Sequence, residues 1–162
     1  MAKHVWEFTN QKKLTKKEFI RYVEKKIWKT IRKYRILPND KVFKLTGRDL
    51  NANVLKHVLS KKFTVKKGKN ISTFNLSDVA ERVFREVLKG NFEGKEMKEL
   101  KPEYLKAPLY DLLDEEIELY AKLESIKGKP KQRDARIQEL FKPFKERNPD
   151  LEHNIVNAFL QL

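Results

Sequence analysis

The sequence predicts a mixed α/β fold in which helices dominate and a few short strands form a reduced sheet. Several segments carry apolar residues at the three- and four-residue spacing of an amphipathic helix, and short runs of β-forming residues lie between them. The segment 41–59 also has the order strand, glycine-containing turn and apolar helix. With 162 residues, the chain is expected to form one domain, which spans residues 1–162.

The N-terminal part, residues 1–38, is predicted to contain a short strand or arm at residues 4–8 and then the first long helix. Thr15 and Glu18 have the spacing of a capping box, and Pro38 follows the predicted helix end. The apolar face of this helix comprises Ile20, Val23, Ile27, Ile31 and Tyr34. Its opposite side carries a basic stripe, which consists of Arg21, Lys25, Lys29, Arg32 and Lys33.

A strand predicted at residues 42–45 runs into a short turn, and an apolar helix follows it. The turn is Thr46, Gly47, Arg48 and Asp49, and the apolar helix residues are Leu50, Val54, Leu55, Val58 and Leu59. Glycine-rich loops in this position bind phosphate, because free backbone N–H groups and the helix N-terminus converge on the anion. Here only one glycine remains. The pattern fits either a degenerate phosphate loop or an ordinary turn in which Asp49 caps the helix.

The remaining elements are predicted from the same signals. Further strands are expected at residues 63–65 and 71–74, and a helix capped by Ser77 and ended by Gly90 follows. Residues 91–103 are expected to be an irregular loop. Helices are also predicted at 113–126, at 133–141 with an interruption at Pro143, and from 149 onward. The inward positions are Ala80, Val83, Phe84, Val87 and Leu88 in the Ser77 helix, and Leu151, Ile155, Ala158 and Phe159 in the last helix.

The charge of the chain favours a polyanionic partner. Lysine and arginine number 37 against 23 acidic residues, which gives a formal net charge of +14. Such an excess is typical of proteins that bind RNA or DNA, because cationic side chains release the counterions of the phosphates. The alternative interpretation is a lysine-rich surface that serves solubility alone.

Composition excludes several functional classes. The chain has no cysteine, so it has no disulfide, no catalytic thiolate and no cysteine-bound zinc or iron–sulfur cluster. Its histidines, at positions 4, 57 and 153, lack the spacing of a helical metal motif. We therefore expect no metal and no cofactor. No apolar run reaches the roughly 18 residues of a membrane span, and the N-terminus has no signal-peptide core, so a cytoplasmic protein without a membrane partner is expected.

Three separated blocks, in order, resemble the tRNA two-thiouridine sulfurtransferases of the N-type ATP pyrophosphatase superfamily. The first block, 14–59, has a helix, a strand, a turn that aligns with the family's phosphate loop S-G-G-K-D-S, and an apolar helix. The second block, 73–80, reads TFNLSDVA and is similar to the family's G-H-N-L-D-D-E-A stretch. The third block, 106–123, is similar to its R-P-L segment and E-L-Y-A helix, and 133–148 resembles its closing R-x-x-x-R and N-P residues.

The resemblance implies a fold as well as a functional class. It implies an α/β, Rossmann-like domain of the adenine-nucleotide alpha-hydrolase type, reduced to a short sheet with predominant helices. Residues 39–110 would then be a degenerate nucleotide-binding core. They lie between the N-terminal arm and basic helix, at 1–38, and a group of C-terminal helices at 111–162.

The departures from the family's pattern lie where its chemistry occurs. Leu45 and Leu50 stand in place of the two serines of the loop, Thr46 in place of its first glycine, and Arg48 in place of its lysine. A hydroxyl and a flexible backbone donor for pyrophosphate are therefore absent. The family's catalytic, cluster-binding and zinc-binding cysteines also have no counterpart.

The resemblance and the departures together indicate a non-catalytic protein of the tRNA-thiolation type, with no catalytic residue. In this it is similar to the degenerate second subunit of cytosolic tRNA thiouridylase. Such a protein is expected to bind tRNA or another structured RNA, a catalytic sulfurtransferase paralogue, or both, and a homodimer is the alternative assembly. The predicted RNA-binding surface is the basic stripe extended by Lys61, Lys62, Lys66, Lys67 and Lys69.

Two other hypotheses stay open. One is a minimal ATP-dependent RNA-modifying enzyme, in which Arg48 binds phosphate. Mg²⁺ would then be held by Asp49, Asp78 and Glu81. The other hypothesis is a basic structural protein of a ribonucleoprotein particle. Aromatic residues that could stack on bases are Trp6, Phe8 and Tyr22, although each also fits a core or half-buried position.

Overall fold

The structure is a computed structural model, which describes residues 3–91 and 93–162. Its elements follow in the order β1 (His4–Glu7), β2 (Lys13–Thr15), α1 (Lys16–Lys33), β3 (Val42–Lys44), α2 (Leu50–Leu59), β4 (Thr64–Lys66), α3 (Leu76–Leu88), α4 (Lys95–Glu99), α5 (Pro102–Leu105), α6 (Asp114–Leu123), α7 (Ala135–Arg147) and α8 (Leu151–Leu160). The strands form two sheets of two strands each, β1 with β2 and β3 with β4. The predicted mixed α/β fold with short sheets and predominant helices is confirmed. Among the residues described, no helix is both long and apolar enough to cross a membrane.

The unit β3–α2–β4 determines where the turn after β3 lies. Phe43 pairs with Val65 in a parallel ladder, so both strands end at the same edge of their sheet. The loops that follow the two strands therefore lie side by side. The hydroxyl of Thr46 joins them by donating a hydrogen bond to the carbonyl of Gly68 at 2.8 Å.

Two hydrophobic clusters form the core. The larger cluster includes side chains of α1, α2, α6 and β3, among them the fully buried Ile27, Leu55 and Tyr120. The smaller cluster is centred on α3 and α8, with Val83 and Phe159. Each fully buried large apolar side chain stabilises the fold by about 1.5–3 kcal/mol. The two clusters explain why the helices keep fixed positions although the sheets are small.

The predicted strand at residues 71–74 is wrong. The carbonyl of Thr73 accepts hydrogen bonds from Asn51 Nδ2 at 2.9 Å and from Lys131 Nζ at 3.1 Å, so it is not available to a sheet. The side chain of Asn70 occupies the neighbouring edge instead, because it bonds the backbone at both ends of β3, at 2.6 and 2.9 Å. Side chains thus replace a third strand.

The segment predicted as an irregular loop, residues 91–103, contains α4 and the first two residues of α5. Residue 92 lies outside the described residues. The predicted cap of α3 is also wrong. Asn75 is the N-cap, because its side chain accepts from the N–H of Asp78 at 3.0 Å. Ser77 lies in the first turn and is buried. Gly90 follows the helix in a left-handed conformation, with φ of 73°, as its C′ position predicts.

Five helices differ from their predicted extents or faces. α6 is shorter than the predicted 113–126, and α7 runs through Pro143 rather than ending before it. On α8, the predicted Phe159 is buried and Leu151 and Ile155 are partly buried, whereas Ala158 is exposed and Val156 is buried instead. On α3, Val79 and Ala80 face the core, whereas the predicted inward Val87 and Leu88 are exposed. On α1, Phe19 is fully buried and the predicted Ile20 only partly so.

Candidate nucleotide-loop and RNA-binding region

The turn after β3 is held in place from within helix α2. Asp49 is the N-cap of α2 and accepts a hydrogen bond from the N–H of Ala52 at 2.8 Å. Lys56, two turns into the helix, donates from Nζ to the carbonyl of Gly47 at 2.7 Å. Gly47 has φ of 129°, a conformation that favours glycine. Asp49 therefore acts as a helix cap, as the ordinary-turn interpretation predicts.

The N-terminus of α2, where a phosphate loop would bind its anion, is covered by the chain itself. Residues 127–129, called the strap below, follow α6 and cross this helix end. The N–H of Leu50 donates to the carbonyl of Lys129 at 2.9 Å. Gly128 lies so close that an added Cβ would be 2.8 Å from the Cα of Leu50 and 2.9 Å from its nitrogen.

Asn53 fastens the strap to α2. Its Nδ2 donates to the carbonyl of Lys127 at 2.7 Å and to that of Arg48 at 3.2 Å. The carbonyl of Lys129 therefore takes the place of an anion at the N–H of Leu50, and this donor is already used. Arg48 is exposed and forms no ion pair with any carboxylate of the described residues.

A basic cleft of about 640 Å³, called the first cleft, adjoins the turn where β3, β4 and α2 meet. Val65 contributes apolar surface to it, the buried Leu45 lies at its base, and no acidic residue lines it. Its basic lining residues are Arg48, Lys56, Lys66 and Lys67. Within residues 3–91 and 93–162, neither Lys66 nor Lys67 forms an ion pair. The first cleft therefore presents uncompensated positive charge.

A second cleft, of about 780 Å³, shares Leu45 and Thr46 with the first. It runs along residues 68–74 and reaches α4 and α5. Its lining combines basic and aromatic side chains with a single carboxylate, and these are Lys69, Lys106, Phe74, Tyr104 and Glu99. Tyr104 is 55% exposed, and Lys98 Nζ lies 5.6 Å from its ring centroid.

The basic stripe of α1 lies on the exposed side of the helix at all five positions: Arg21, Lys25, Lys29, Arg32 and Lys33. Lys61 and Lys62 lie against the same helix. Lys61 Nζ forms an ion pair with Glu24 at 3.0 Å, and Lys62 Nζ lies 4.9 Å from the ring centroid of Trp28. Lys66, Lys67 and Lys69 instead line the two clefts. The predicted surface thus consists of two groups, one on α1 and one at the strand ends.

The aromatic residues considered for base stacking pack mainly on one another. The rings of Trp6 and Phe19 have centroids 5.3 Å apart, and those of Phe8 and Tyr22 are 5.1 Å apart. Tyr22 also donates its hydroxyl to Glu116 on α6, and burial raises the pKa of this phenol above its usual range. These aromatics therefore attach the N-terminal sheet to α1.

An ion network that no local sequence pattern predicted joins the second block to the C-terminal part. The guanidinium of Arg133 donates to Asp114 at 2.7 and 2.8 Å and to Asp78 at 2.8 Å. Lys131 Nζ donates to the other oxygen of Asp78 at 2.7 Å, and Asn75 Nδ2 donates to Asp114 at 2.7 Å. Burial lowers the pKa of Arg133, but its bonds to Asp114 and the charge of Asp78 outweigh burial and raise it.

The three carboxylates considered for Mg²⁺ binding are already engaged with other groups of the protein. Asp78 is committed to Lys131 and Arg133, and Glu81 pairs with Arg85 at 3.1 Å. Asp49 caps α2, as described above. In the described part of the chain, no group of three histidine or acidic residues is arranged to hold a metal ion. The three carboxylates of the enzyme hypothesis thus have structural roles.

Comparison with known proteins identifies a fold and no sequence family. No protein-family model and no curated protein matches the chain. Eight chains of solved structures are similar to it. One is the U34-tRNA thiolase NcsA from Methanococcus maripaludis with its [4Fe-4S] cluster, at a TM-score of 0.70 and 14% sequence identity, over 98% of this chain and 83% of that one. The chain is therefore similar in fold to a tRNA thiolase.

The cofactor of that neighbour does not fit the residues of this chain. A [4Fe–4S] cluster is held by cysteine thiolates, and this sequence contains none. The helix end that would bind the phosphates of a nucleotide is likewise occupied, because Leu50 donates to Lys129 and Gly128 fills the adjacent space. No reaction step through either group can be derived for this protein.

Proposed function

We propose that this chain is a non-catalytic protein of the tRNA-thiolation type, which binds tRNA without adenylating it. The observation that carries the proposal is the strap across the N-terminus of α2, in a chain whose fold is similar to that of a tRNA thiolase. Opening that site would break the Leu50–Lys129 hydrogen bond and move Gly128. The absence of cysteine supports the same conclusion, since no thiolate can carry sulfur.

The RNA-binding part of the proposal is supported by the charge and its distribution. The net charge is +14, and the stripe of α1 is exposed. In the region that the structure describes, none of its five residues forms an ion pair with a carboxylate. A row of cations along one helix can follow a phosphate backbone, and each contact adds about 0.9 to the salt dependence on duplex RNA or DNA.

Fluorescence anisotropy with a tRNA transcript tests this function. Lys25→Glu with Lys29→Glu should weaken tRNA binding at least tenfold at moderate salt and lower the log–log salt slope by about 1.8. The matched control is Lys12→Glu with Lys13→Glu, which makes the same charge change at exposed positions away from the stripe. Equal affinity of the two double variants would mean that the stripe is only a solvated helix face. Preference for ribosomal RNA over tRNA would favour a structural protein of a ribonucleoprotein particle.

We also propose that a catalytic sulfurtransferase paralogue is the protein partner. Support comes from apolar side chains left exposed where α3 and α7 pack together. Phe84 and Phe141 are in contact there, with ring centroids 5.0 Å apart. Leu88, one turn beyond Phe84, is 60% exposed, and Phe144, on the next turn of α7, is 62% exposed. Apolar surface of this kind is commonly covered in a complex.

Co-expression with the paralogue, followed by size-exclusion chromatography with light scattering, tests the partner. A stable heterodimer that Leu88→Ser with Phe144→Ser dissociates is the expected result. A homodimer that is lost through the same pair of substitutions would show that a second copy covers this surface. A chain that stays monomeric, whether it is produced alone or together with the paralogue, would contradict the partner proposal and leave the RNA-binding proposal standing.

A further inference from the structure

We propose that the two clefts beside Leu45 and Thr46 form a binding site for a single-stranded segment of RNA. This inference rests on the RNA-binding function proposed above and assigns it a second site, separate from the stripe of α1. The clefts share those two residues, lie at the ends of β3 and β4, and have volumes of about 640 and 780 Å³. Their lining has the two properties that single-strand binding requires, which are cations for the backbone and exposed rings for the bases.

Two cations of the first cleft have no carboxylate partner among the described residues. Some lysines elsewhere in the fold are engaged with carboxylates, such as Lys131 with Asp78 at 2.7 Å and Lys145 with Glu152 at 2.9 Å. Lys66 and Lys67 are exposed and line a cleft that has no acidic residue. An anion that enters the first cleft therefore does not compete with an internal partner. A phosphodiester is the chemical group that matches, because a nucleic-acid strand repeats this anion along its backbone.

The base of a nucleotide finds its contacts in the second cleft. Leu45 borders both clefts but is only 2% exposed, so it offers a base almost no surface. Tyr104 is 55% exposed and Phe74 is half-buried, and a lysine lies over each ring. Lys98 Nζ lies 5.6 Å from the ring centroid of Tyr104, and Lys131 Nζ lies 4.8 Å from that of Phe74. Lys131 is held by Asp78, whereas Lys98 forms no ion pair among the described residues, so the ring of Tyr104 is the more accessible of the two. Stacking on an aromatic ring tolerates any base, because every base has a π-face. We therefore assign Tyr104 as the stacking residue.

The shape of the site favours a single strand over a duplex. Bases become accessible to side chains in concave pockets only when they are unstacked, as in loops and ends. The site also differs from a mononucleotide site. The strap covers the N-terminus of α2, where the N–H of Leu50 already donates to the carbonyl of Lys129. A triphosphate would therefore contact side-chain cations but not the N–H groups of a helix N-terminus. A strand, which distributes one charge per nucleotide over both clefts, matches this arrangement better.

The wall between the clefts is fixed before any ligand arrives. Thr46 donates its hydroxyl to the carbonyl of Gly68 at 2.8 Å, which ties the two loops together. Lys56 Nζ donates to the carbonyl of Gly47 at 2.7 Å and so holds the turn against α2. Binding therefore requires little ordering of the loops, which lowers the entropic cost of association.

The test compares three labelled RNAs by fluorescence anisotropy: a short unstructured oligoribonucleotide, a duplex of the same length and a tRNA transcript. Lys66→Glu with Lys67→Glu should weaken binding of the single strand at least tenfold and lower its salt slope by about 1.4, at about 0.7 per contact. Tyr104→Ala should weaken it at least about fivefold. The duplex should respond to both changes no more than it responds to the control, Lys12→Glu with Lys13→Glu.

The outcomes separate this site from the proposed function. If wild type binds tRNA but the cleft variants bind the single strand as the control does, the cleft assignment is overturned and the RNA-binding function stands. Equal losses on single strand and duplex also overturn it, because the lysines then act through general charge. If the wild-type protein binds none of the three RNAs, both the cleft assignment and the proposed RNA-binding function are contradicted. Displacement of the single strand by micromolar Mg-ATP would identify a mononucleotide site instead and likewise overturn the assignment.

Discussion

Replacement of Gly128 by alanine tests how tightly the strap is seated on α2. The new Cβ would be 2.8 Å from the Cα of Leu50, 2.9 Å from its nitrogen and 3.0 Å from Nδ2 of Asn53. Two of these three atoms belong to the backbone of a helix and cannot rotate away. The strap itself must therefore move by several tenths of an ångström, away from the donor of Leu50.

The expected loss of stability follows from these contacts. Overpacking by one methyl group in a tight site costs about 1–3 kcal/mol. Movement of the strap also weakens the hydrogen bond from Leu50 to Lys129, which contributes about 1 kcal/mol. Gly128 is not among the residues with positive φ, so backbone strain adds nothing. We expect the free energy of unfolding to fall by about 2–3 kcal/mol.

Urea denaturation followed by circular dichroism measures this change. The controls are Lys127→Ala and Lys129→Ala, whose side chains are exposed and whose backbone carbonyls stay in place. We expect both controls to stay within about 0.5 kcal/mol of wild type, as surface substitutions usually do. A Gly128→Ala variant as stable as the controls would refute the close seating of the strap, and with it the physical argument against an anion at this helix end.

Two further predictions concern the ion network and the first helix. Arg133→Met removes the guanidinium that pairs with the carboxylates of Asp78 and Asp114, so it should lower the free energy of unfolding by about 3 kcal/mol. The control Arg136→Met, at an exposed position, should change the free energy of unfolding little. Equal losses in the two variants would contradict the role of the network. The hydrogen bond from the backbone N–H of Thr15 holds the pKa of Glu18 below its usual range. The ionised carboxylate of Glu18 therefore stabilises the fold fully above about pH 4.3, the pKa of a glutamate in the unfolded chain. This stabilisation is lost as the pH falls through the lower pKa of Glu18 in the folded protein. Glu18→Gln keeps the acceptor and removes the titration, so the variant should lose less stability than wild type between about pH 5 and pH 3, and parallel pH profiles would contradict this.

The features predicted correctly from the sequence depend on neighbouring residues. The capping box of Thr15 and Glu18 and the cap at Asp49 are confirmed, since each needs only residues within one helical turn. The strands predicted at residues 42–45 and 63–65 are also present, as β3 at Val42–Lys44 and β4 at Thr64–Lys66. Local propensity and apolar periodicity were enough to establish these elements and the fold class.

The features that were missed depend on distant residues. Residues 71–74 carry the composition of a strand, but Asn51 and Lys131 bind the carbonyl of Thr73, and the side chain of Asn70 occupies the free edge of β3. The ion pair between Asp78 and Arg133 likewise joins residues that no local pattern connects. The strap was not predicted, because its position depends on the contact of Gly128 with Leu50. Such contacts are set by tertiary packing, which propensity does not encode.

We propose that the chain binds tRNA and performs no ATP chemistry, on a fold similar to that of a tRNA thiolase. The most direct measurement incubates the protein with saturating tRNA, Mg²⁺ and ATP labelled at the α-phosphate, and quantifies labelled AMP. We predict a protein–tRNA complex with no AMP above the level formed without protein, because the strap covers the N-terminus of α2 and the chain has no cysteine. Formation of AMP that depends on tRNA, and that Arg48→Ala or Asp49→Ala abolishes, would contradict the account.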